Sequence, residues 1–213
     1  MPTLQLYSYW RSMASYRVRV ALALKGLAFE EILLDLLAGD QFTPEFLALN
    51  PEGAVPALVE GDEPALTQSM AILEYLEEVW PAPALLPSDP RGRARVRSLS
   101  AIIVSDTHPL LVPRVRAFLG EHGLDDAAVR DWSFHWISRA ARAIEARLAR
   151  DPETGAFCHG DEVTLADLCL VSLFTLGKAN GYTLEDAPTI ERILGRCVTI
   201  AAFRDALPHR PAA

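Results

Sequence analysis

The stretch NPEGAVPALVEGDEPALTQSMAILEYLEE, residues 50–78, decides the fold. Ala57-Leu58-Val59-Glu60 is a short apolar strand entered through Val55-Pro56. Gly61-Asp62 opens a turn between two apolar runs, a hairpin signal, and Pro64-Ala65-Leu66-Thr67 returns as the second strand. Gln68-Ser69 then opens a helix, because Met70, Leu73, Leu76 and Val79 recur at helical spacing. Two positions carry possible chemistry. A proline cannot donate to a ladder, so Pro56 belongs at a strand start or an edge. In the cis form it would leave Val55 presenting its N–H and C=O to a visiting peptide. Ser69 either caps its helix or, with the leading amides, forms an anion site.

On the N-terminal side, Leu4, Leu6 and Ser8 alternate with Gln5 and Tyr7, a first strand. From Ser12 the spacing changes, and Met13, Tyr16, Val20 and Leu24 fall at helical intervals, with Arg17 and Lys25 as charged positions. Gly26 stops that helix, and Phe29–Leu34 reads as a second strand. Strand, helix and strand with short links imply a right-handed βαβ unit. Joined to residues 50–78, this gives βαβ followed by ββα, a small α/β sandwich of the thioredoxin type.

On the C-terminal side, Pro81, Pro83, Pro87 and Pro90 cluster, the sharpest composition shift in the chain. They mark a boundary: an α/β domain over residues 1–80, a linker over 81–88 and an all-helical domain over 89–213. Arg91–Gly120 carries one long helical pattern, bent at Pro109 and Pro113. Asp125–Arg150 carries a second, with Trp132, Trp136, Ile144 and Leu148 as core positions. Arg91, Arg93, Arg95 and Arg97 read as a solvated basic face. Thr164-Leu165-Ala166-Asp167 has capping-box spacing and starts a helix over Thr164–Leu176.

A chain of 213 residues, half of them hydrophobic, is long enough for one large domain or two small ones. No apolar run reaches the roughly 18 residues of a membrane helix, and strand-like residues begin at Thr3, with no signal peptide in view. A net charge of −8 disfavours nucleic acid and anionic membranes as partners. Three cysteines, Cys158, Cys169 and Cys197, suggest a reducing compartment rather than a disulfide framework. The expected setting is the cytoplasm.

The first strand-to-helix turn, Tyr9-Trp10-Arg11-Ser12-Met13-Ala14-Ser15, faces the loop carrying Pro56 in a thioredoxin-type domain. Ser12 stands at the positive end of a helix dipole. It is either a helix cap or a donor to a thiolate, whose pKa such surroundings lower. The turn contains no cysteine, which argues against glutaredoxin-type disulfide exchange. Any thiol used here must arrive with a cofactor.

The turn Ser8-Tyr9-Trp10-Arg11-Ser12, followed by Arg17-Val18-Arg19-Val20-Ala21-Leu22, resembles the signature of zeta-class glutathione transferases. That family includes the maleylacetoacetate and maleylpyruvate isomerases. The resemblance continues through Ala48-Leu49-Asn50-Pro51, Val55-Pro56-Ala57-Leu58, Gln68-Ser69, Ile72–Glu78 and Leu85-Leu86-Pro87. It returns at Asp106-Thr107-His108-Pro109 and Gly160–Asp167, so it spans nearly the whole chain. It implies a glutathione-transferase fold, glutathione as cofactor and a homodimer. It also implies roles: Val55, ahead of a cis Pro56, pairs with the cysteinyl backbone of glutathione. Gln68 and Ser69 hold its γ-glutamyl carboxylate, Gln41 lies near the glycyl end, and Ser12 lies nearest the sulfur. Asp106 and His108 match dimer-interface positions that reach a glutathione site.

Two departures from the family pattern stand out. Met13 and Ala14 occupy positions where many eukaryotic members carry a second serine and a cysteine. Leu176–Asn180 offers only Lys178 where the maleylpyruvate isomerases have an arginine-rich segment, and a lysine lacks bidentate geometry. The implied activity is glutathione-dependent cis–trans isomerisation of a maleyl-type keto acid in aromatic catabolism, by thiolate addition, bond rotation and elimination. Arg11, Arg114 and Lys178 are the candidate cations for substrate carboxylate or a developing enolate. The alternatives are a transferase that conjugates small electrophiles or haloacids, and a non-catalytic glutathione-binding module.

Overall fold

The computed structural model describes residues 3–207, with Leu176 described through its main chain only. Residues 1–2 and 208–213, the outer ends of the two expected domains, lie outside the described residues. The strands are β1 (Leu4–Ser8), β2 (Phe29–Leu33), β3 (Ala57–Glu60) and β4 (Leu66–Thr67). The helices are α1 (Met13–Leu24), α2 (Pro44–Leu49), α3 (Ser69–Val79), α4 (Pro90–Val104), α5 (Pro113–Glu121), α6 (Asp126–Arg150), α7 (Leu165–Ala179), α8 (Pro188–Cys197) and α9 (Ala201–Asp205). They divide into two units, residues 3–85 with 200–207, and residues 86–199.

In the first unit the sheet order is β2-β1-β3-β4. β1 runs parallel to β2, with Leu4 opposite Phe29. It runs antiparallel to β3, with Leu4 opposite Glu60 and Tyr7 opposite Ala57. The β1-α1-β2 unit followed by β3-β4-α3 is the thioredoxin-like arrangement that the sequence spacing implies. Leu6 and Leu58 from the sheet, Val18 and Leu22 from α1, and Ile72, Leu73 and Leu76 from α3 are all buried. Each such side chain contributes roughly 1.5–3 kcal/mol of burial free energy. Gly26 follows α1 at φ +65, a left-handed position that glycine adopts without cost. β4 is shorter than the run beginning at Pro64, because a proline there has no amide for the ladder.

The charged residues Arg17 and Lys25 of this unit are buried. Lys25 Nζ meets Glu77 Oε2 at 2.9 Å and the carbonyls of Trp80 and Pro83 at 2.6 and 3.0 Å. Glu77 Oε2 also accepts from the Leu85 amide. The linker after α3 is therefore pinned by a buried ion pair. α9 joins this unit rather than the helical one expected to run on to residue 213. The reason is a contact between residues far apart in sequence: Tyr16 Oη donates to the Phe203 carbonyl at 3.0 Å, and Phe203 is fully buried.

In the second unit, the single long helix expected over Arg91–Gly120 is two helices. Pro109 and Pro113 lack the amides that a continuous helix needs. A 3₁₀ turn at His108–Leu110 intervenes, and Pro113 starts α5 instead of bending its predecessor. Ile144 and Leu148 are buried, whereas Trp132 and Trp136 are only half-buried. Trp132 keeps its indole N–H at the edge, donating to the Leu110 carbonyl at 2.9 Å. Arg95 departs from the solvated face expected of the basic run. It donates to Asp151, to the Cys158 carbonyl at 2.7 Å and to Thr154 Oγ1 at 2.9 Å, tying α4 to the loop after α6.

α7 begins at the expected capping box. The Asp167 carboxylate accepts from the Thr164 amide at 2.8 Å, from the Thr164 hydroxyl at 2.9 Å and from the Cys158 amide at 2.8 Å. All three cysteines are buried, and none is in a disulfide. Among the described residues no helix is long and apolar enough to cross a membrane.

Candidate active site

Three chain turns meet at one end of the sheet in the first unit. β1 leads out through Ser8 into the Ser12 turn, β3 is entered from Val55-Pro56 beside it, and β4 leaves through Gln68 into α3. The register fixes this: Tyr7 lies opposite Ala57, and Ala57 opposite Thr67.

Ser12 is the N-cap of α1, with φ −73 and ψ 120. Its hydroxyl oxygen accepts from the Ser15 amide at 3.1 Å, and its own amide donates to the Tyr9 carbonyl at 2.8 Å. Capping uses the oxygen as an acceptor and leaves the hydroxyl proton to be donated, so the two readings of Ser12 are compatible. Ser15, in the first turn of α1, has a buried hydroxyl without a partner among the described residues. Arg11 is exposed beside Ser12, its guanidinium carbon 5.5 Å from the Trp10 ring centre.

The Val55–Pro56 peptide is cis. Among the described residues the Val55 main chain makes no backbone hydrogen bond. The preceding turn is held by Asn50, which is buried. Its Nδ2 donates to the Ala54 carbonyl at 2.6 Å, and its Oδ1 accepts from the Glu52 amide at 3.1 Å. Across from this turn Gln68 adopts φ 66 and ψ 111, a backbone region that non-glycine residues occupy only under constraint. Its Nε2 donates to Glu52 Oε2 at 2.8 Å. Ser69 is buried at the first position of α3, where the leading amides and the helix dipole favour an anion.

Gln41 sits in a 3₁₀ turn at Asp40–Phe42 that follows the C-terminal end of β2. Its Nε2 donates to the Leu36 carbonyl at 3.3 Å, while its Oε1 is buried without a partner. An orphaned buried acceptor costs about 1–3 kcal/mol unless a donor arrives. A peptide with free N–H groups fits that requirement. The unpaired Val55 main chain and the anion-favouring start of α3 complement the rest of such a peptide. Gln41, Val55, Pro56, Gln68, Ser69 and Ser12 are thus suited to a small acidic peptide carrying its own thiol.

The other candidates belong to the second unit. Asp106 is exposed just after α4, and His108 starts the 3₁₀ turn. Arg114 is exposed in the first turn of α5, and Lys178 is exposed in the last turn of α7. Among the described residues no group of three or more His, Cys, Asp or Glu side chains is arranged to hold a metal.

Two residues of the site escaped the sequence reading. Glu52 emerges only as the partner of Gln68, sixteen residues away, for which no local pattern exists. Arg19 is buried and donates to Ser8 Oγ at 2.8 Å and to the Trp10 carbonyl at 3.3 Å, bracing the Ser12 turn. Burial pulls its pKa below the ordinary arginine value, with Glu31 opposing that effect. The signal for Asn50 was present: Asn-Pro followed by glycine is a side-chain-stabilised turn.

Known proteins are similar to this chain over most of its length. Residues 2–78 match the family model for the glutathione S-transferase N-terminal domain. The chain is 45% identical over 210 residues to the maleylacetoacetate isomerase of Rhizobium meliloti, covering 96% of each protein. Its fold is similar to the crystal structure of maleylacetoacetate isomerase from Methylobacterium extorquens AM1 with bound malonate and glutathione. That similarity has a TM-score of 0.94 and 48% identity over 98% of both chains. It is also similar to the holo structure of a maleyl pyruvate isomerase, a bacterial glutathione S-transferase of the zeta class. There the TM-score is 0.92, with 41% identity over 96% of both chains.

Proposed function

Because the chain belongs to the zeta-class glutathione transferase and maleylacetoacetate isomerase family, we propose that it catalyses glutathione-dependent cis–trans isomerisation of a maleyl-type keto acid. Maleylacetoacetate and maleylpyruvate are the candidate substrates, and aromatic catabolism is the setting. The observation that carries the reading is the convergence of Ser12, Val55-Pro56, Gln68 and Ser69 at one end of the sheet, in a chain similar throughout its length to such isomerases. Bound glutathione supplies a thiolate that adds reversibly to the activated double bond, so that the bond can rotate and re-form.

The chain's own residues do the rest. Ser12 keeps its hydroxyl proton to donate to sulfur while the start of α1 favours negative charge there. Val55 offers its free N–H and C=O to the cysteinyl main chain. Gln41 Oε1 takes an N–H near the glycyl end. Gln68 and Ser69, with the leading amides of α3, hold the γ-glutamyl carboxylate. Arg11, Arg114 and Lys178 are the cations for substrate carboxylate and for the negative charge that develops during reaction. The same family reading gives a homodimer with Asp106 and His108 at its interface. Three buried cysteines outside any disulfide are in keeping with a reducing, cytoplasmic setting.

Ultraviolet loss of maleylpyruvate and maleylacetone absorbance tests the proposal. Turnover that requires added glutathione is expected, and the faster substrate ranks the two acids. No turnover of either compound with glutathione present contradicts the isomerase reading. Conjugation of haloacids in its place would favour the transferase alternative.

A further inference from the structure

The amide of Gln68 cannot point either way at random. The Glu52 carboxylate only accepts, so Gln68 must turn its NH₂ toward Glu52 Oε2, 2.8 Å away, and its Oε1 elsewhere. Glu52 is itself fixed: its amide donates to Asn50 Oδ1, and the following Gly53 amide donates to the Asn50 carbonyl. Among the described residues Glu52 has no ion-pair partner, so its charge is uncompensated. The corner is therefore polarised. Ser69 and the leading amides of α3 are donors, whereas Gln68 Oε1 and the Glu52 carboxylate are acceptors.

A free amino-acid head has the matching polarity, a carboxylate beside an ammonium. We propose that Glu52 is a specificity-determining residue for the α-ammonium of the γ-glutamyl group. It orients Gln68 so that Gln68 Oε1 faces the ammonium, and it adds a negative charge on the same side. Ser69, the α3 amides and the second N–H of Gln68 Nε2, which lies on the same side as Oε1, hold the neighbouring carboxylate. This rests on the glutathione reading of the site and adds to it a residue and a ligand group.

The test compares two peptides by isothermal titration calorimetry: glutathione, and glutaryl-cysteinyl-glycine, which lacks only the α-amino group. Wild-type protein should prefer glutathione. Glu52→Gln should weaken glutathione about five-fold, the scale of a partly exposed charge-assisted contact, and leave the glutaryl peptide within about two-fold by the same reasoning. Glu52→Lys should weaken glutathione further, as a like charge facing the ammonium. Equal weakening of both peptides by Glu52→Gln would make Glu52 a turn-former and overturn the inference, as would no change in either. Wild-type protein that bound no glutathione would instead remove the reading of the site itself, and the inference with it. Circular dichroism of the variants separates any failure to fold from a loss of recognition.

Discussion

Arg19 Nη2 donates to the Trp10 carbonyl at 3.3 Å and to the Ala206 carbonyl at 3.2 Å, so one buried guanidinium joins the turn before Ser12 to the residue that closes α9. Its other nitrogen holds Ser8 Oγ at 2.8 Å and Glu31 Oε1 at 3.1 Å. Replacing Arg19 with Met leaves these acceptors without a donor. We expect a loss of about 3 kcal/mol, the scale for removing one partner of a buried pair. Arg19→Lys keeps the charge but not the fork, and should recover less than half of that. Urea unfolding midpoints at constant m-value measure both.

Ser12→Ala removes the proton donor while the main chain of the turn persists. Turnover should fall about 10²-fold, as for loss of one preorganised donor to a developing anion. Glutathione affinity should change far less. The sign in pH follows from the role. Ser12 and the α1 dipole lower the pKa of the bound thiol from about 8.5, so without the hydroxyl the rising limb of the rate profile moves to higher pH. A profile that stays in place would assign Ser12 to capping alone.

Gln68 is constrained at φ 66. Gln68→Gly relieves backbone strain of about 1–3 kcal/mol and should raise the melting temperature while weakening glutathione binding. Stability and binding then move in opposite directions, which a purely structural residue would not do. Ser69→Ala should weaken glutathione about ten-fold, the value of one lost hydrogen bond to a charged group, with a smaller effect on turnover of the bound complex.

The buried Asp167 carboxyl is raised above its ordinary value of 3.8, because burial outweighs the donors from Cys158 and Thr164. A carboxyl with a raised folded-state pKa binds its proton more tightly in the folded chain. Its contribution is therefore complete below pH 3.8 and is lost as pH rises through the raised value. Asp167→Asn should flatten that part of the stability–pH curve. At neutral pH it should also cost about 2 kcal/mol, since an amide cannot accept from all three donors. Unfolding free energies between pH 3.5 and 7, an interval spanning the ordinary carboxyl range of about 4, measure both effects.

Much of the first unit was legible because its signals are local. Alternation marks β1, helical spacing marks α1 and α3, Gly26 stops α1, and Pro56 stands where a strand begins. The capping box at Thr164–Asp167 was legible for the same reason. What escaped depends on contacts between distant residues. Arg95 belongs to a run of exposed-looking arginines, and only the return of the chain at Asp151–Cys158 draws it inward. α9 looks like one more helix of the helical unit until Tyr16 and Arg19 claim its main chain. Pro109 and Pro113 announced a disturbance, but whether two prolines bend a helix or end it depends on what packs at the break. Of the site, Ser12, Pro56 and Ser69 stood out by position, whereas Glu52 is an ordinary surface acid until Gln68 meets it.

The most direct test is a count of free thiol across complete conversion of maleylpyruvate supplied in large molar excess over glutathione. A glutathione-dependent isomerase must carry the reaction to its end with all of the thiol recovered and the fumaryl isomer as product. Reaction that stops when the glutathione is exhausted, with one thiol lost for each molecule of substrate, would contradict the account and describe a conjugating enzyme instead.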